Sequence, residues 1–242
     1  MMKNIQTNRW AMGVIWVFVG IILDVCVQIG SKQAAEIAAN NLHTKVDNLL
    51  PISISALTVI GLLAFSVYVL LKAIHLVNPK VGLHKFELNR VGWSFKGYGL
   101  ILLAGILTNV LQQTVNGRLE VANNQAKLIS VMHGNLEMVV FIVLLTLFVG
   151  PILEELIFRG IVMNYFFTKR GWWVNVIFSG ALFGYFHVML QNFQLFAFIQ
   201  YSLMGMVLAF VYKKTKQLQY SMLTHFINNA IATLILLITI FK

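Results

Sequence analysis

The residues of this chain whose types could support chemistry are few, and they lie where water is scarce. Glu154-Glu155-Leu-Ile-Phe-Arg159, His187, His225 with Asn228 and Asn229, and Asp24 all fall inside long apolar runs. Each such group is costly within a bilayer and is a functional candidate for that reason. Glu155 and Arg159 stand four residues apart, share one helix face and can pair. An arginine partner lowers the cost of burying a carboxylate. Glu154 points about 100° away around an ideal helix and lacks that local partner, so it is the better candidate for a general base. The same spacing equally suits an ion cluster that locks helices together. His187 and His225, taken singly, read as well as satisfied packing residues. His225 and Asn229, at i and i+4, share a face, which suits convergence on one ligand or a plain interhelical hydrogen bond.

Depth joins these groups. At about 1.5 Å of rise per residue, Glu154 lies about 20 Å above residue 167 and His187 about 22 Å above residue 172. On the same scale Asn229 lies about 20 Å above residue 216 and His225 about 14 Å above it. Three helices can therefore bring a carboxylate, two imidazoles and an amide to similar depth. That set is what hydrolysis needs: a base, a second group to position water, and donors for an oxyanion.

The elements that must position them are membrane helices. Charged residues make up 11% of the 242, against about 25% in a soluble domain, too few to cover a water-facing surface. The mean hydropathy of +0.80 agrees. The apolar runs are continuous, not the alternating segments of a membrane β-barrel, so the expected fold is all-α. Spans of about 20 residues are expected near 10–28, 52–76, 97–115, 136–167, 172–190, 194–212 and 219–241, about seven in all. The run 136–167 is too long for one plain crossing, and Gly150-Pro151 is expected to break or kink it. Residues 33–50 carry no clear span and suit a short interfacial helix.

Positive charge sets the expected orientation. With the N-terminus cytoplasmic, Lys3, Arg9, Lys72, Lys80, Lys85, Arg90, Lys96, Lys169, Arg170, Lys213, Lys214 and Lys216 fall inside. Only Lys32, Lys45, Arg118, Lys127 and Lys242 fall outside, which fits the positive-inside rule with the C-terminus outside. The net charge of +10 is thus read as a topology signal that meets anionic lipid in the bilayer, with no role in binding nucleic acid. The lone cysteine, Cys26, excludes an internal disulfide framework and a multi-cysteine metal site. Trp172 and Trp173 suit an interfacial anchor. Asp24 reads as pairing with a neighbouring helix or facing water, with substrate contact as the alternative. His133 and Glu137 read as solvated near an outer helix end.

In order and spacing, Glu154-Glu155-x-x-x-Arg159, Phe183-x-x-x-His187 and His225-x-x-x-Asn229 resemble the three motifs of the CPBP intramembrane protease family. That family includes the CAAX prenyl endopeptidases and bacterial bacteriocin-processing or self-immunity proteins. Pro151 and Phe158-Arg159-Gly160 extend the likeness, which covers about residues 135–235. It implies a protease core over 131–242 and N-terminal transmembrane helices over 1–130, integrated in one membrane domain. It implies that Glu154 activates the hydrolytic water with help from His187, and that His225 and Asn229 stabilise the oxyanion. Glu155 and Arg159 would hold the geometry, and Phe183 would pack on the face of His187. The family is often described as metal-dependent. Glu154, His187 and His225 could supply three zinc ligands, but no usual zinc spacing is present, and metal-independent chemistry is favoured. The expected protein is an intramembrane endopeptidase of a bacterial cell membrane, acting on a small peptide or a membrane-protein substrate. The alternatives are a non-catalytic immunity or scaffold protein and a proton-coupled transporter.

Overall fold

The computed structural model describes the backbone of residues 2–120, 122–123, 126, 129–130, 136–168, 173–189 and 192–240. Lys127, His133, Lys169, Arg170, Trp172 and Lys242, and the side chains of Lys3 and Glu137, lie outside the described residues. Among these residues the structure is entirely helical, a polytopic membrane protein with six helices long and apolar enough to cross a bilayer and one shorter apolar helix. They are α1 (Met2–Asn41), α2 (Leu49–His75), α3 (Leu88–Asn116), α4 (the run 136–165), α5 (Val174–Val188), α6 (Leu195–Thr215) and α7 (Leu218–Ile240).

Three expectations change. First, no separate interfacial helix forms after residue 33, because α1 runs on to Asn41. The segment holds Ala34, Ala35, Ala38 and Ala39 and no glycine or proline, so nothing breaks the helix, and Ala35, Ala38 and Ala39 are buried. Second, the span expected over 172–190 is a helix of only 15 residues, about 22 Å long against a hydrocarbon core of about 30 Å. A helix can end within the membrane where protein or a polar cavity surrounds its end. Third, α4 neither breaks nor stops at Gly150-Pro151. It runs as α-helix Leu136–Leu144, a π-helical stretch Leu145–Val149, α-helix Gly150–Glu155, a second π-helical stretch Leu156–Val162, and a last turn Met163–Tyr165.

The centre of the bundle is α4, whose residues 155–166 are all buried. A helix apolar and buried on every side belongs at the middle of a packed core. The α1–α2 hairpin lies against one side of α4, and the α5–α6 hairpin against the other, with α3 and α7 closing on α6. Leucines, isoleucines and phenylalanines on the outer faces, such as Phe18, Leu57, Ile106 and Ile235, remain exposed, as lipid contact requires.

Among the described residues, the basic residues assigned to the inside gather at one end. Arg9 donates to the Asn164 carbonyl, Asn78 to the Asn164 side chain, and Arg90 to the Thr215 carbonyl. These bonds tie the start of α1, the end of α2, the end of α4, the start of α3 and the end of α6 to one level. The connections bearing Lys45 and Arg118 lie at the opposite end, where Gly117 closes α3 in the left-handed region at φ 68°.

The α5–α6 hairpin is the tightest contact. A Cβ on Gly180 would lie 2.7 Å from the Met206 nitrogen and 2.8 Å from the Ser202 carbonyl. One on Gly184 would lie 2.7 Å from the Ser202 nitrogen and 2.8 Å from the Phe198 carbonyl. Backbone cannot yield as a flexible side chain does, so only small residues permit this approach. Gly184→Leu is therefore expected to destabilise the protein by about 3 kcal/mol or more. Gly61→Ala, where a Cβ meets nothing within 4 Å, should leave stability unchanged or slightly raised. Thermal unfolding of both variants in detergent checks this.

Candidate active site

The local shape of α4 follows from Pro151. In the π-helical turn before it, the N–H of Gly150 bonds to the Leu145 carbonyl. Pro151 has no N–H to offer. The Thr146 carbonyl thus loses its intrahelical donors, and Asn229 Nδ2 of α7 donates to it at 3.0 Å. Insertions of this kind inside α-helices occur frequently at functional sites. Here two of them flank Gly150–Glu155, the six residues that carry both glutamates.

Glu155 and Arg159 are fully buried, with Glu155 Oε2 3.2 Å from Arg159 Nε. Arg159 Nη2 donates to the Gly205 carbonyl of α6 at 2.8 Å. The guanidinium carbon lies 4.9 Å from the Phe183 ring centroid and 5.9 Å from that of Phe158. The second oxygen of Glu155, Oε1, lies 3.2 Å from His225 Nδ1. His187 Nδ1 lies 2.9 Å from the Phe183 carbonyl. A carbonyl and a carboxylate accept, so both Nδ1 atoms carry hydrogen and donate, and each neutral imidazole has its lone pair on Nε2.

Both Nε2 atoms face one oxygen. Glu154 Oε2 is 3.7 Å from His225 Nε2 and 3.9 Å from His187 Nε2, and it has no hydrogen-bond partner. Three acceptors thus surround one small space and repel one another unless something bearing hydrogen or positive charge sits between them. Water fits this description. The donor types also suit zinc, but among the described residues no group of three His, Cys, Asp or Glu side chains is arranged to hold a metal ion. Glu154, His187 and His225 supply zinc's donor types without a preformed three-ligand site.

Phe183, on α5, is wholly buried between the two halves of this cluster. Its ring centroid is 4.3 Å from that of His187, 5.9 Å from that of His225 and 5.2 Å from that of Phe158. It packs on the Arg159 guanidinium and on both imidazoles. Asn229 is committed elsewhere: its amide bonds to the Thr146 carbonyl and accepts from Asn228.

Two participants carried no usable signal in the sequence. Tyr201 stacks on His187 at 4.6 Å from α6, and one tyrosine in an apolar helix points to nothing. Gly205 supplies a backbone carbonyl, which no side-chain pattern reveals. Asp24 belongs to α1, outside the motif region. Gly13 packs on Tyr165 and Phe166 and Gly20 on Ile157, so α1 runs antiparallel to α4. Asp24, one turn past Gly20, comes within range of the Glu154 charge, buried and accepting from Gln28 Nε2 at 3.0 Å. A narrow recess lined by His187, Tyr201, Asn123, Asn192 and Gln194 lies at the end of α5.

Residues 136–231 match the family model of Rce1-like type II CAAX prenyl endopeptidases. The chain is 27% identical over 176 residues to "Putative membrane peptidase YdiL" of Bacillus subtilis (strain 168), covering 71% of this chain and 68% of that one. No solved structure matches it. The matched residues run from the start of α4 to just past Asn229, and thus take in every helix that contributes a motif. Over that core the chain is similar to the type II CAAX prenyl endopeptidases, in line with the resemblance of its three motifs to the CPBP intramembrane protease family.

Proposed function

We propose that this protein is an intramembrane endopeptidase that hydrolyses a peptide bond with water activated by Glu154 and His187. The observation that carries this reading is the convergence of Glu154 Oε2 and two Nε2 lone pairs on one space. A water there donates one hydrogen to Glu154 Oε2 and the other to His187 Nε2. As its oxygen attacks the scissile carbonyl carbon, the first proton passes to Glu154. His225 takes a proton from solvent on Nε2 before attack and donates it in a hydrogen bond to the oxyanion, with Glu155 on Nδ1 holding that imidazolium. The second hydrogen on Asn229 Nδ2 is the other candidate donor. Collapse of the intermediate breaks the C–N bond, and Glu154 returns its proton to the leaving amine. Glu155 and Arg159 touch no reacting atom and act as positioning residues.

The substrate class that suits a site within the membrane is a small peptide or a segment of a membrane-associated protein. The basic end of the bundle is assigned to the cytoplasm, by the excess of lysine and arginine there.

The test uses the purified protein in detergent with a quenched-fluorescent peptide library. Glu154→Gln and His187→Ala should each lower cleavage by about 10²–10⁴-fold, with thermal unfolding close to that of the wild type. Activity retained by Glu154→Gln would overturn the mechanism. Inert wild-type protein, folded and monodisperse, would favour a non-catalytic immunity or scaffold role. A strong zinc chelator should leave the wild-type rate unchanged, and a rate abolished by the chelator and restored by zinc would contradict this. Arg159→Leu leaves Glu155 buried without its partner, and should cost about 3–5 kcal/mol of stability as well as activity. Unfolding and cleavage measured on the same preparation separate this effect from that of Glu154→Gln.

A further inference from the structure

At the basic end of the bundle, three helices bring aromatic rings and lysines together on the outer surface, away from the motif residues. Trp93 lies in the second turn of α3, Phe210 lies in α6, and Trp173 immediately precedes α5. Trp93 and Phe210 meet edge to face at 6.0 Å, and Phe210 and Trp173 are parallel within 2° at 6.3 Å. Over this aromatic row stand two ammonium groups. Lys96 Nζ lies 5.0 Å from the Trp93 ring centroid, and Lys214 Nζ lies 5.8 Å from the same centroid and 5.6 Å from that of Phe210. Both lysines and Trp173 are exposed, while Trp93 and Phe210 are half-buried.

Two like charges held at one indole repel each other, and the attraction of each for an exposed ring is weak. The surroundings add to the positive field. Lys216 closes α6, and Lys213 reaches Asn175 at 2.8 Å. An anion bridging Lys96 and Lys214 relieves the repulsion. The rings decide what kind of anion. Tryptophan beside lysine at helix ends marks the headgroup level of a bilayer, and the strongly exposed Phe95 next to this row offers apolar surface to acyl chains.

We propose that Trp93, Lys96, Trp173, Phe210 and Lys214 form a binding site for one anionic phospholipid. Its phosphate lies between the two ammonium groups and its glycerol and upper chains lie along the rings. The site is built from α3, α5 and α6 at once, so a bound lipid holds their basic ends together. The inference is independent of the peptidase reading.

The experiment is native mass spectrometry of the full chain, released from detergent after incubation with equal amounts of phosphatidylglycerol and phosphatidylcholine. Wild type should retain phosphatidylglycerol in preference. The double variant Lys96→Gln/Lys214→Gln should lose that preference by at least about tenfold, and Lys96→Arg/Lys214→Arg should keep it. Lys80→Gln, which removes an exposed charge from the α2–α3 connection, should bind as the wild type does. If the double variant is not monodisperse, the single variants carry the test, each losing about fivefold. Unchanged preference in folded Lys96→Gln/Lys214→Gln, or in both single variants, overturns the proposal. So does an equal loss in Lys80→Gln, which would make the effect one of diffuse surface charge.

Discussion

The Glu155–Arg159 ion pair is the constraint on which the middle of this protein depends. Both side chains are wholly removed from water, and a buried pair repays its desolvation only when further hydrogen bonds satisfy the remaining valences. Here the repayment comes from other helices. Arg159 reaches the Gly205 carbonyl of α6, and Glu155 meets His225 of α7. The compensation is incomplete, because Arg159 Nη1 has no hydrogen-bond partner, while the guanidinium as a whole lies over the Phe158 and Phe183 rings. Moving α6 or α7 away from α4 would strand a charge in the core, so the pair specifies how the three helices sit. It also leaves Glu154, the adjacent residue, as the carboxylate with an oxygen uncommitted.

The shape of α4 makes that arrangement possible. A helix that buries residues 155–166 on all sides has no solvent to hydrate a broken turn, so proline at position 151 would normally be expensive there. The π-helical turn before it spreads the defect, and Asn229 caps the one carbonyl left over. The amide of the third motif thus serves the backbone of the first. That gives the spacing His225-x-x-x-Asn229 a structural use on α7: one residue orients on Glu155 of α4 and the other on Thr146 of the same helix.

Much of this was legible in the sequence because hydropathy and charge are local properties. The spans carrying α1, α2, α3, α4, α6 and α7 follow from apolar length, and the gathering of Arg9, Lys72, Arg90, Lys213 and Lys214 at one end follows from the placement of charge between spans. The pairing of Glu155 with Arg159 follows from i, i+4 spacing. What was not legible depends on neighbours. The π-helical turns leave no composition signature, so Gly150-Pro151 reads as a break or a kink with no hint of the π-helical turn that accommodates it. The short α5 reads as a full span because apolar residues that face protein look like those that face lipid. Asp24 reads as pairing with some neighbouring helix or facing water, and Glu154 is not legible as its neighbour because that proximity is set by Gly13 and Gly20 packing on α4, a contact between segments more than a hundred residues apart.

The shortness of α5 bears on how water meets a site in the membrane. A full span would put His187 mid-helix, with another turn or two of apolar side chains between it and the surface. Instead α5 ends at Val188, one residue beyond His187, and Asn192 and Gln194 line the recess with His187 and Tyr201. That recess shares Ala122, Gln194 and Ala197 with a cavity of about 190 Å³ that Asn109, Gln112 and Gln200 also line. Amide side chains at this depth are costly against lipid, but they are well matched to water or to a peptide backbone. The glycine contacts of α5 with α6 then have a second consequence. By drawing the two backbones together at Gly180 and Gly184, they hold a helix too short to be anchored at both membrane surfaces. Its free end can therefore be polar without the helix shifting, and the imidazole on that end keeps its place opposite Glu154.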